Sequence, residues 1–144
     1  MEDPYNLERF VEAQNRHGSY DTALDEIRKG RKVTHWIWWV FPQLAALAFS
    51  ETSREYAISS IDEAAAFLLH PVLGTRLREA TVAMNSHLNS RADSILDGDD
   101  VKFRSSMTLF IRAAPQEPLF QNAIDIFFDG VPDSRTDQLL KHGT

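Results

Sequence analysis

The chain contains no cysteine. That absence removes disulfides, thiolate-bound metals and a cysteine nucleophile, and it agrees with a reducing, cytoplasmic setting. No apolar run approaches the ~18 residues a membrane helix needs. The start, "MEDPYNLERF", is acidic and lacks an apolar signal region, so neither a secretory signal nor membrane insertion is expected. Positive charge is outnumbered, 15 Lys and Arg against 21 Asp and Glu, for a net charge of −6. Such a balance disfavours the nonspecific grip on which nucleic-acid binding relies. Its local exception is "RKGRK", Arg28 to Lys32. GxGxxG, P-loop and GxSxG patterns are missing. The histidines, at 17, 35, 70, 87 and 142, show no HxxxH or HExxH spacing, so neither a metal nor a cofactor is expected.

What is present reads as helix. There is no internal repeat, low-complexity tract or linker-like run, and 144 residues suit one domain with a real core. Leu7, Phe10, Val11 and Gln14 share one helical face, as do Ala23, Leu24 and Ile27, with Gly30 placed to end that second helix. Ser60 stands three positions before Glu63, a capping-box spacing. The helix it opens should stop at His70, because Pro71 follows and can begin the next one. There Leu73, Leu77, Ala80, Met84 and Leu88 form the clearest amphipathic stripe. Asp99 or Asp100 caps "VKFRSSMTLFIRAA", "EPLFQNAIDIFF" buries Phe120, Ala123, Ile124 and Phe127, and Asp133 or Ser134 caps a last helix ending near His142. The expectation is a single all-α domain, residues 1–144, of seven to nine short helices. A rival pairs the β-formers of "WIWWVF" and "MTLFI" as a two-stranded ribbon, an arrangement marginal without further cover.

All three tryptophans fall in "KVTHWIWWVFPQ", Lys32 to Gln43. Wound as a helix, this stretch puts Ile37, Val40, Phe41 and Leu44 on an apolar stripe, and Lys32, His35, Trp36, Trp39 and Gln43 on a second arc. That arc either packs a second layer of helices or walls a cleft. In the cleft, Trp36 and Trp39 would stack a flat ring while Lys32, His35 and Gln43 fix its polar edge. Tyr56, Arg76 and Ser106 are further candidates from elsewhere, Arg76 because its fork matches carboxylate or phosphate. His35 is the obvious acid–base group of the set if catalysis occurs. Lys102 close to Ser105 and Ser106 is the pairing used in Ser–Lys nucleophile chemistry, although its spacing matches no hydrolase signature. Serines inside helices more often bond back to a preceding carbonyl.

The blocks "ALDEIRKGRKVTHWIWWVFPQL", "YAISSIDEAAAFLLHPVLGTRLREA" and "DDVKFRSSMTLF" together resemble a bacterial and fungal family, domain of unknown function 1810. The resemblance covers almost the whole chain, through Gly30, Lys32, His35, Trp36, Trp38, Phe41, Pro42 and Gln43, then Tyr56 to Ile58, His70, Pro71, Leu73, Gly74, Arg76 and Leu77, then Lys102 and Ser105 to Phe110. Two places depart from the family pattern. Its "GLG" is Ala46, Leu47, Ala48 here, and its Ile-Phe-Gly is Ile95, Leu96, Asp97. The resemblance implies a compact, mainly helical domain and brings no established activity or catalytic residues. Some members carry an automatic calpastatin label, but calpastatins are long disordered protease inhibitors and this sequence reads as a packed globule. Two functions follow as expectations. One is binding of a small anionic, aromatic or nucleotide-like ligand in a cleft beside the HWIWW segment. The other is a protein–protein interaction module in which that segment is purely structural.

Overall fold

In the computed structural model, which describes residues 2–143, helical periodicity is realised along most of the chain. Ten α-helical segments follow one another: α1 (Glu8–Asn15), α2 (Ser19–Lys29), α3 (Ile37–Val40), α4 (Glu51–Glu55), α5 (Ile61–Leu69), α6 (Leu73–Asn85), α7 (Ala92–Ile95), α8 (Asp100–Ala113), α9 (Pro118–Phe127) and α10 (Ser134–Gly143). Turns of 3-10 helix occur at Arg16–Gly18 and Ala45–Leu47. α3 and α7 are single turns of four residues. The described residues include no strand, and the one isolated bridge is the parallel pair Leu44–Ile58. The ribbon does not form, because "MTLFI" lies inside α8. The protein is all-α.

Side chains explain most of the boundaries. Gly30 ends α2 in the left-handed region (φ 79°), and its N–H donates to the carbonyls of Glu26 and Ile27. Ser60 Oγ accepts from Glu63 N–H at 3.1 Å, which is half of the expected capping box. The Glu63 carboxylate turns instead to Ser59 and to Arg9, 3.0 Å away. His70 does more than end α5. Its Nδ1 accepts from the Val72 and Leu73 N–H groups at 3.1 and 3.2 Å, so an imidazole caps α6. Pro71 precedes that helix rather than starting it. Asp133 caps α10 as expected, accepting from Thr136 N–H at 2.9 Å. His142 falls within α10, but its side chain lies outside the described residues.

The apolar faces meet in one core. Leu73, Leu77, Ala80 and Met84 are buried, whereas Leu88 lies beyond the end of α6 and is exposed. α8 is the central rod and packs against α5, α9 and α10. Its residues Ser105 to Ile111 are all buried, so it is enclosed nearly all round. Phe41 meets Phe103 edge-on at 4.8 Å, and Phe10 meets Phe67 at 5.1 Å. Such tilted pairs suit the ring quadrupoles. Among the described residues no helix is long and apolar enough to cross a membrane.

Candidate functional site

The tryptophan segment does not wind as a whole. Only Ile37–Val40 is helical, and Trp36 before it has φ −142° and ψ 0°. The cause is a buried carboxylate on α2. Glu26 Oε1 accepts from Val33 N–H at 2.8 Å, Thr34 N–H at 3.0 Å and Trp36 Nε1–H at 2.9 Å. Its Oε2 accepts from the Thr34 hydroxyl at 2.8 Å. Burial alone would raise the Glu26 pKa, but these donors outweigh it and hold the carboxyl below its ordinary range. Satisfying Glu26 fixes residues 33–36 in a non-helical path, so the arc expected from helical spacing is divided.

Lys32 and Trp36 turn inward, contrary to their expected place on a cleft wall. The Lys32 N–H donates to the Ile95 carbonyl, and its ammonium lies 3.1 Å from Asp99 and 5.2 Å from the centre of the Trp36 ring. Trp36 is 1% exposed and packs as core. His35 and Trp39 remain together. They line an open groove of about 340 Å³ with Ala13, Arg16, His17, Ser19, Thr22 and Thr34.

The opposite bank of the groove is the corner between α1 and α2. His17 (φ 53°) and Gly18 (φ 65°) both adopt left-handed conformations there, turning the chain sharply. For a histidine this is uncommon and costs energy. Trp39 is fixed from several sides. Its Nε1–H donates to Ser19 Oγ at 2.9 Å, its carbonyl accepts from Gln14 Nε2 at 2.7 Å, and its ring meets Tyr56 edge-on at 5.2 Å. With the indole N–H engaged, this side chain offers a ligand mainly its π surface.

The other candidates disperse. Arg76 does not reach the groove. Its guanidinium donates to Gln14 Oε1 at 3.2 Å and Asn15 Oδ1 at 2.9 Å, bracing the amide that holds Trp39. Gln43 and Tyr56 line a separate recess of about 10 Å³, room for one water. Burial, then the neighbouring Glu55, pushes the Tyr56 phenol above its ordinary pKa. Ser106 is fully buried in α8 and its hydroxyl has no hydrogen-bond partner among the described residues. Ser105 donates to the Val101 carbonyl at 3.0 Å and Lys102 pairs with Asp99 at 3.0 Å, so neither is set up as a nucleophile and its base. Arg16, His17, Ser19, Thr22 and Thr34 are groove residues that helical spacing did not point to. Among the described residues no cluster suited to a metal ion occurs.

The model of the family described as "Protein of unknown function (DUF1810)" matches residues 4–140. The chain belongs to this family. Among solved structures it resembles the conserved hypothetical protein Rv1873 from Mycobacterium tuberculosis, determined at 1.38 Å. The two share 42% identity, over 96% of this chain and 99% of that one, with a TM-score of 0.92. No curated protein matches the chain. The two departures from the family pattern have different local outcomes. Ala46 and Ala48 take ordinary backbone angles, whereas Asp97 stands at φ 50°, the left-handed region that glycine adopts most readily.

Proposed function

We propose that this DUF1810 protein acts in the cytoplasm by binding a small anionic ligand with a flat ring in the groove between His35, Trp39 and the α1–α2 corner. One observation carries the reading: Arg16, His17, His35 and the Trp39 indole line a single open hollow whose described lining includes no carboxylate. A guanidinium and two imidazoles favour an anion, most of all a phosphate or carboxylate that Arg16 can grip with two parallel hydrogen bonds. Ser19, Thr22 and Thr34 add hydroxyls for a sugar or ring edge, and Trp39 supplies a stacking surface. A volume of about 340 Å³ falls within the range of small-molecule sites, roughly 300–1,000 Å³. A nucleoside monophosphate has this chemistry.

Tryptophan fluorescence during titration with adenosine 5′-monophosphate, and separately with adenosine, tests the proposal. Saturable quenching by the nucleotide is expected, with adenosine binding at least about tenfold more weakly because the charge-assisted contacts are lost. The double variant Arg16→Ala/His35→Ala, which alters two exposed side chains, should weaken the nucleotide to a similar degree. No response to the nucleotide or to other anionic aromatic metabolites would count against the groove as a binding site.

A further inference from the structure

A second hollow, of about 300 Å³, shares no lining residue with the groove. It lies where the Ala45–Leu47 turn and the following Phe49 approach the first turns of α8 and α10. One wall is apolar and open to solvent: Phe49 is 85% exposed and Val101 64%, with Leu47 beside them. Large apolar side chains held at the rim of a concavity are what a partly apolar ligand would cover.

The floor is polar and rich in donors. Gln43 is half-buried and its side-chain amide makes no hydrogen bond among the described residues. Arg135 is exposed and likewise without a partner there. Lys102 pairs with Asp99, but the same carboxylate also pairs with Lys32, so a single negative charge serves two ammonium groups. The hollow's own acid, Asp133, is already committed. Its Oδ2 accepts from the Thr136 N–H and hydroxyl and from Ser105 at 3.3 Å. Asp100, at the start of α8, lines a different hollow. The floor therefore carries a surplus of cationic donors beneath an apolar wall.

We propose that this hollow binds a small amphipathic carboxylate. Its carboxylate is held by Arg135 and Lys102 with the Gln43 amide alongside, and its aliphatic chain or ring lies against Leu47, Phe49 and Val101. The adjoining recess of about 10 Å³ shares Gln43 and Lys102 with this hollow. The ligand differs from that of the groove: the described lining here includes neither an indole to stack on nor a histidine to meet a phosphate.

The test is a two-dimensional NMR titration of the full chain with 3-phenylpropionate and with its neutral analogue 3-phenylpropan-1-ol. For the acid, saturable shifts of residues in the 43–49, 98–105 and 133–135 segments are expected, with a dissociation constant on the order of 1 mM. Arg135→Gln and Phe49→Ser alter exposed side chains, and each should weaken the acid about fivefold or more. The neutral alcohol should bind at least about fivefold more weakly, and Arg16→Ala/His35→Ala should leave the acid's affinity unchanged. The proposal is overturned if no saturable shift occurs, if either hollow variant binds as wild type, or if the alcohol matches the acid. It is equally overturned if binding disappears with the groove variant, since the acid would then occupy the other site.

Discussion

Replacing Glu26 by glutamine should loosen the segment that carries His35, and the size of the effect follows from its contacts. Oε1 accepts three N–H donors and Oε2 one hydroxyl, all within 3.0 Å. Glutamine keeps a carbonyl oxygen of the same shape for the N–H groups but removes the charge. Hydrogen bonds to a charged partner contribute about 1.5–3 kcal/mol each, against about 0.5–1.5 for neutral ones. Because the bonds share one carboxylate, their losses do not add fully, and a net destabilisation of about 2–3 kcal/mol is expected. The folded carboxyl titrates below its unfolded value of about 4.3, so its stabilisation is full above that pH and fades as pH falls through the lower folded value. Urea unfolding of wild type and Glu26→Gln at a series of pH values between 7 and 3 measures this directly. The gap should be widest at neutral pH and shrink below about pH 4. A variant within about 0.5 kcal/mol of wild type at pH 7, or a gap that stays constant or grows on acidification, would refute the reasoning.

Three further outcomes are expected. Gly74→Ala, which in an ordinary helix interior would add up to about 1 kcal/mol, should instead cost 3 kcal/mol or more, since the new Cβ would overlap the Leu68 carbonyl; thermal unfolding decides the sign. His70→Ala should lose about 1 kcal/mol by removing the acceptor for two α6 N–H groups, and His70→Asn should restore most of it in the same assay. Asp97→Gly should raise stability by up to about 1 kcal/mol by relieving a left-handed conformation, and denaturant midpoints lower than wild type would contradict that assignment.

Much of the architecture was legible because it rests on local rules. The stripe from Leu73 to Met84, the glycine at 30 and the acid at 133 each act within a few residues, and each appears where spacing placed it. The tryptophan segment was only half legible. Helical spacing grouped Lys32, His35, Trp36 and Trp39, but Glu26, in the preceding helix, overrides that period by collecting donors from 33, 34 and 36. A glutamate in α2 gives no local sign of that role. The groove's other bank was missed for a related reason. Arg16 and His17 sit in a tight corner between helices, and their approach to His35 depends on how α1 and α2 pack rather than on any spacing within "RHGS". Leu88 shows the reverse error, an apolar residue in register with a helix that had already ended.

The central claim is that the indole of Trp39 and the imidazole of His35 share one ligand. Following their side-chain NMR signals, with those of His17 and Trp36, while adenosine 5′-monophosphate is added puts it to the sharpest test. The account requires the His17, His35 and Trp39 signals to shift together along one saturation curve while the entombed Trp36 indole stays in place. Signals that never move, or that move first around Gln43 and Arg135, would contradict it.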